Sequence, residues 1–215
     1  MAYSLGIFDM DGVLIEEISS WVIIHRHFGV NNERSIQDYI DGKIDDSEFM
    51  RRDIALWLNK KNPIHIDEMR EILNTGATPI KGVEETFRRI KENGIRTAIV
   101  SAGLLCSAEL LAEKLGIDMV YANALATDEN GYLTGEGILN VPMNNKGGVV
   151  RGLLKELGIE GEEAFAVGNS YVDVSMFKEV TMGIAFNPDD EIVVREADRV
   201  VSGKDLREVL EYVLL

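Results

Sequence analysis

The stretch Tyr3-Ser4-Leu5-Gly6-Ile7-Phe8-Asp9-Met10-Asp11-Gly12 decides how the rest of the chain is read. The apolar run over 3–8 has the length and composition of a buried strand, and the acidic, glycine-containing tail reads as a loop leaving its carboxyl end. Past Thr78-Pro79-Ile80-Lys81-Gly82 the pattern alternates. Helices are expected over 83–93, 104–115, 147–157, 172–178 and 205–214, the first two closed by Gly94 and Gly116. Strands are expected over 95–100, 119–124, 164–167 and 182–186, with Asn130-Gly131 as a hairpin turn between short runs. Such alternation implies βαβ units, a parallel sheet and right-handed crossovers.

Residues 18–74 break that rhythm. Trp21, Ile24, His25 and Phe28 share one helical face, and Phe49, Ile54, Leu56 and Trp57, then Met69, Ile72 and Leu73, continue the helical pattern. This block reads as about four helices without a strand, inserted above the first strand. The expected division is a core of residues 1–16 and 80–215 and a helical cap of 17–79, with junctions near 15–17 and 76–82. No internal repeat or low-complexity tract is present.

The 215 residues suit one domain with an insertion, or two small ones. With 22 Lys and Arg against 37 Asp and Glu, the net charge is −15, a surface that repels nucleic-acid backbones and anionic lipid. Neither nucleic acid nor membrane is therefore expected as a partner, whereas a local cation still admits a small anionic ligand. Cys106 is the single cysteine, so no intrachain disulfide forms and a reducing compartment fits. The first apolar run breaks at Asp9, unlike a secretory leader, so the cytoplasm is the expected location. Nothing in the sequence sets an oligomeric state.

Ligands of open α/β sheets collect beyond the carboxyl ends of the strands. Those ends, with one helix start, present Asp9 and Asp11, then Ser101-Ala102-Gly103, then Lys146, then Gly168-Asn169-Ser170-Tyr171-Val172-Asp173. Two carboxylates so close repel, and a proton, a lysine or a divalent cation must offset them. Oxygen donors from Asp9, Asp11, Asn169 and Asp173, without a nearby histidine or thiolate, favour Mg²⁺ over zinc or copper. Simpler roles stand beside these: a solvated turn at Asp9-Met10-Asp11-Gly12, helix caps at Ser101 and Asn169, and a solvated helix-start lysine at Lys146. Cys106 reads as an inert packed thiol, and His25, His27 and His65 as surface or core residues.

Asp9-Met10-Asp11-Gly12-Val13, Val100-Ser101-Ala102-Gly103, Asn145-Lys146-Gly147 and Gly168-x4-Asp173 resemble, in order, the four motifs of haloacid dehalogenase-type phosphohydrolases. The chain is most similar to their phosphoserine phosphatase-like branch, and the resemblance spans its whole length. It implies a Rossmann-like parallel-sheet core with a small helical (C1-type) cap after the first strand, and a phosphatase acting on a small phosphorylated metabolite. It further implies Asp9 as nucleophile, Asp11 as general acid and base, and Mg²⁺ at Asp9, the Asp11 carbonyl, Asn169 and Asp173. Ser101 and the N–H of Ala102 would hold phosphoryl oxygens, with Gly12 and Gly103 beside them, and Lys146 would steady the nucleophile and the transferring group.

The chain departs from that branch in places. Asn169 stands where a metal-binding Asp is usual, which predicts weaker metal affinity, and Val172 stands where an Asn near the phosphate is usual. Where the branch selects substrate with a Glu, an aromatic residue and an Arg, an ungapped count from Asp9 finds Ile18 at the first position, and matching the helix after Gly42-Lys43 finds Asp46 and Asp53 at the other two. Glu17, Phe49 and Arg52 lie alongside, and a one-residue slip would make Glu17 and Arg52 the substrate-binding pair. Phosphoserine hydrolysis and phosphotransfer to a sugar are the alternatives on this scaffold, with a non-catalytic binding protein behind them. A dehalogenase would not need Asp11.

Overall fold

The central strand β1 (Leu5–Phe8) is buried throughout. Leu5 and Ile7 face one hydrophobic core and Phe8 the other, the two-residue alternation of a strand covered on both sides. Gly6 has no room for a side chain, since a Cβ there would lie 2.5 Å from the ring of Phe165. The computed structural model describes residues 3–214; of the expected core, residues 1–2 and 215 lie outside the described residues.

Six further strands complete one sheet: β2 (Arg96–Leu104), β3 (Met119–Thr127), β4 (Leu133–Ile138), β5 (Ala164–Gly168), β6 (Met182–Phe186) and β7 (Arg199–Val201). The order is β4-β3-β2-β1-β5-β6-β7, parallel except for the antiparallel β3–β4 pair. β1 pairs with β2 on one side and β5 on the other. The chain thus winds outward in both directions from β1, and the crevice at its carboxyl end is the switch point where such sheets bind ligands.

Four helices lie between β1 and β2 ahead of the core helix: α1 (Ser20–Phe28), α2 (Glu33–Ile40), α3 (Asp46–Leu58) and α4 (Ile66–Gly76). They close around Trp57, Ile24, Ile54 and Met69, all fully buried. α3 rests on β4, where a Cβ on Gly137 would come within 2.3 Å of the Met50 side chain. The hairpin of β3 and β4 therefore supports the helical layer. Around the sheet run α5 (Val83–Glu92), α6 (Leu105–Leu115), α7 (Lys146–Leu157), α8 (Val174–Phe177), α9 (Glu191–Glu196) and α10 (Leu210–Val213). Among the described residues no helix is long and apolar enough to cross a membrane.

The helix expected over 172–178 divides into a 3₁₀ turn over Tyr171–Asp173 and α8, and the elements depart from the sequence reading in three further places. β2 continues to Leu104, with an irregular register against β3 beyond Val100, so Ser101-Ala102-Gly103 belongs to the strand and not to a loop. α9 and β7 are additional; β7 is three residues long at the sheet edge with two of them exposed, too short for a periodic signal. The closing helix divides into a 3₁₀ turn over Leu206–Val209 and the single α-turn of α10.

Candidate active site

Asp9 extends β1 by one residue, its N–H donating to the Val167 carbonyl at 2.9 Å. The chain then turns at Gly12, whose φ of +74° lies in the left-handed region that glycine adopts without strain. Gly12 donates to the Glu17 carbonyl at 2.9 Å, and a Cβ there would meet the Asn169 amide at 2.4 Å. This close approach brings the first loop against the one after β5.

A buried lysine joins the two loops. Lys146 opens α7, where the Asn145 side chain accepts from the Gly148 N–H and caps the helix. Its Nζ lies 2.8 Å from Asp9 Oδ1 and donates to Asp173 Oδ1 at 2.7 Å, and all three side chains are at least nine-tenths buried. Burial alone would depress the lysine, but the charges of Asp173 and Asp9 outweigh it and hold its pKa above the ordinary value. Burial raises the Asp9 carboxyl above the usual carboxylate range, Asp173 adds to the rise, and Lys146 opposes it. With both carboxylates ionised the trio carries a net negative charge in a dry setting.

Asp11 is held from the helical layer. Its Oδ1 accepts from the Ser20 N–H at 2.9 Å and its Oδ2 from the Ser20 hydroxyl at 3.2 Å. Burial, then the charge of Asp9, push its pKa up to about 7, within the range a general acid needs near neutrality. Ser20 Oγ also accepts from the Leu104 N–H at 2.9 Å, so one hydroxyl ties the start of α1 to the first loop and β2. We expect Ser20→Ala to orphan that buried N–H and cost about 1–2 kcal/mol in chemical denaturation. An unchanged unfolding midpoint would remove Ser20 from this role.

At the end of β2, Ser101 is buried and its Oγ accepts from the Gly103 N–H at 3.1 Å. The helix after it begins at Leu105, capped at Leu104, so Ser101 is not a helix cap. The Ala102 carbonyl accepts from Trp21 Nε1 at 3.3 Å and Asn123 Nδ2 at 3.0 Å, fixing the orientation of this peptide. A Cβ on Gly103 would lie 2.5 Å from Asp11 Oδ2, so the close approach demands glycine.

In the loop after β5, Asn169 is buried and its Nδ2 donates to Asp189 at 2.6 Å. No donor among the described residues engages its amide oxygen. The capping role falls to Ser170 and Asp173, which cap the 3₁₀ turn Tyr171–Asp173 reciprocally. Asp173 Oδ2 accepts from the N–H groups of Asn169 and Ser170 at 2.9 and 3.1 Å, while Oδ1 takes Lys146. Both oxygens of Asp173 are therefore in use.

A cavity of about 350 Å³ opens on this cluster, with Asp9, Asp11, Ser101, Ala102, Gly103, Lys146 and Asn169 on its floor. The helical layer supplies the roof, including Ile18, Trp21, Phe49, Met50, Asp46 and Asp53. Gly12 and Asp173 stand behind the floor, shaping it without lining it. Glu17 and Arg52 do not reach it. Glu17 accepts from the N–H and hydroxyl of Thr78, and Arg52 pairs with Glu48 and Asp38 at 2.8 Å each. The residues at the matched positions, Ile18, Asp46 and Asp53, occupy the cavity wall. Asp46, Phe49, Met50 and Asp53 follow the i, i+3, i+4, i+7 spacing of one helix face, and Arg52 falls off it.

Sequence reading missed Ser20, Trp21, Asn123 and Asp189. Each acts through a partner distant in sequence, and only the Ser20 position at a helix start carries a local signal. His25 is buried as expected but bonded, its Nε2 to Asp53 at 3.0 Å and its Nδ1 accepting from Trp57 Nε1 at 2.8 Å. Cys106 is buried and away from the cavity, its thiol pushed up to about 11 chiefly by burial, in keeping with a packed, inert role.

A doubly wound α/β sheet with a buried Asp–Lys–Asp chain and a second, protonatable Asp at its switch point is the arrangement of an enzyme that works through carboxylates. The family model for haloacid dehalogenase-like hydrolases matches residues 7–178, and the chain belongs to that family. It is 32% identical over 214 residues to the phosphoserine phosphatase of Methanocaldococcus jannaschii, covering 97% of each chain. It is 29% identical to that of Wolinella succinogenes, over 97% of this chain and 98% of the relative. A solved substrate-bound phosphoserine phosphatase complex superposes with a TM-score of 0.82 at 30% identity, over 99% of both chains. A phospho-aspartyl intermediate analogue of phosphoserine phosphatase superposes at 0.81, also at 30% identity, over 99% of this chain and all of the other. The resemblance to the phosphoserine phosphatase-like branch is thus borne out.

Proposed function

We infer that this protein hydrolyses a small-molecule phosphomonoester through an aspartyl-phosphate. The observation that carries the reading is the buried Asp9–Lys146–Asp173 chain with protonatable Asp11 two residues on. An Asp9 carboxylate oxygen attacks phosphorus, the bond from phosphorus to the leaving oxygen breaks, and Asp11 donates its proton to that oxygen. Asp11, now ionised, takes a proton from a water that attacks the phosphorus of the acyl phosphate, releasing inorganic phosphate and restoring Asp9. Ser101 and the N–H of Ala102 hold the phosphoryl oxygens, and Lys146 balances charge on both sides of the transfer. The helices between Ser20 and Gly76 form the cap that excludes water from the cavity.

The donor set fits Mg²⁺: hard oxygens from Asp9 and the Asn169 amide, in a cluster whose negative charge one lysine does not cancel. With both its oxygens engaged, Asp173 serves as the support of Lys146 and the loop, so the ligand set narrows to Asp9, the Asp11 carbonyl and Asn169. The ion would screen the charge between an anionic nucleophile and an anionic phosphate.

A metal response follows for the ion-free protein. Asp9, its carboxyl raised to about 6 first by burial and then by Asp173, is stabilising while protonated and loses that contribution as pH rises from the ordinary carboxylate range through 6. Mg²⁺ competes with those protons. The rise in Tm on adding Mg²⁺ should be several degrees larger at pH 8 than at pH 5, and Asn169→Asp should enlarge it. An equal rise at both pH values would refute the assignment. Activity is tested by phosphate release from an aryl phosphate with Mg²⁺ and with EDTA; metal-independent release would overturn the reading.

Phosphoserine itself is the second reading, favoured by the names of the relatives and solved structures. Its carboxylate finds no arginine on the cavity wall among the described residues, and the one lysine there is committed to Asp9 and Asp173.

A further inference from the structure

The roof of the cavity holds a buried polar group that the chemistry on the floor does not use. Asp53 is fully buried in α3 and lines the cavity. Its Oδ2 accepts from Asn32 Nδ2 at 2.8 Å and bonds His25 Nε2 at 3.0 Å. Trp57 Nε1 can only donate, so His25 Nδ1 accepts and the hydrogen on Nε2 points to Asp53. The carboxylate is held in orientation by two side chains, one of them fixed in turn by Trp57, yet among the described residues its Oδ1 has no hydrogen-bond partner. An orphaned, buried carboxylate oxygen is costly unless something binds it.

The surroundings state what that would be. Asp46, two turns earlier on the same face of α3, adds a second carboxylate, and its Oδ1 accepts from the Tyr39 hydroxyl and the Met143 N–H, both at 3.2 Å. Ile18, Ile36 and Phe49 make the remainder apolar, and the Trp21 ring, stacked on Trp57 at 5.4 Å, forms one wall. Among the described residues no lysine or arginine lines the roof, and the only cation on the cavity wall is Lys146 on the floor. A pocket with a free carboxylate oxygen, an aromatic wall and no cation of its own suits a positively charged nitrogen.

We propose that Asp53, with Asn32 and His25 behind it, forms a leaving-group subsite that selects phosphomonoesters whose alcohol carries a cationic nitrogen and no carboxylate. The proposal rests on the phosphatase reading for the placement of the phosphate. Phosphoserine offers the ammonium as well, but it also brings a carboxylate into a wall that already holds Asp46 and Asp53.

Binding of three non-hydrolysable phosphonates to the wild-type protein in Mg²⁺, by calorimetry, tests this without turnover. The first is 3-aminopropylphosphonate; the second is butylphosphonate, with methyl for ammonium; the third is 2-amino-4-phosphonobutanoate, which adds a carboxylate. The aminopropyl compound should bind at least about 10-fold more tightly than either of the others. Asp53→Asn should bring the aminopropyl and butyl compounds together, although the wild-type ranking stands even where that variant does not fold. Equal or tighter binding of the butyl compound, tightest binding of the carboxylate compound, or binding of none of the three overturns the subsite. Aryl phosphate turnover, measured in parallel, separates the two ideas. Turnover without the ammonium preference sinks the subsite alone, and the preference without turnover sinks the phosphatase reading alone.

Discussion

Asp9→Asn should abolish Mg²⁺-dependent phosphate release from an aryl phosphate, lowering kcat by roughly three orders of magnitude or more, with the fold intact. The amide has nearly the shape of the carboxylate but cannot serve as an anionic nucleophile, so no acyl phosphate forms. The fold should survive because the substitution removes a charge that burial and Asp173 both disfavour. Lys146 keeps its 2.7 Å bond to Asp173. Circular dichroism and the thermal midpoint establish the intact fold, and phosphate release establishes the loss. A variant that folds and hydrolyses at the wild-type rate would remove Asp9 as nucleophile and with it the aspartyl-phosphate.

Lys146→Met has the opposite balance, damaging stability and chemistry together. Methionine fills much of the same volume, but Asp9 and Asp173 are left facing one another in the interior without a cation. Breaking a buried pair in this way costs about 3–5 kcal/mol, because the uncompensated charge remains. The pH dependence has a definite sign. Without the lysine the Asp9 carboxyl is raised further, and protonation neutralises it, so the deficit against wild type should shrink as pH falls and be larger at pH 8 than at pH 5. Activity should fall by about 10²–10³ at neutral pH through loss of the charge that offsets the transferring group. Denaturant titrations at the two pH values and phosphate release check both parts. A pH-independent stability difference would show that Lys146 contributes by packing and not by charge.

The order of motifs along the chain was legible because each sits where a local pattern ends. A period-two apolar run stops at Asp9, another passes through Val100 to Ser101, and a helical period begins at Lys146. The switch point follows from that alternation, since parallel strands joined by right-handed crossovers leave few arrangements. The insertion of four helices was legible for the same reason, its period differing from that of the strands on either side.

Other features belonged to the tertiary structure alone. Whether Arg52 or Asp53 faces the cavity is one step along the chain, and on a helix one step turns a side chain by about 100°. Composition is nearly blind to that rotation; packing of α3 against β4 settles it by burying Met50 and Asp53 and leaving Arg52 to Glu48 and Asp38. Ser20, Asn123 and Asp189 act on residues between 9 and 84 positions away, and no local window contains both partners. The sequence by itself thus determined the fold and the chemistry of the floor, because strand and helix periods are local properties of the chain. The roof, and the charge it turns toward the cavity, were decided only when helices distant in sequence packed against the sheet.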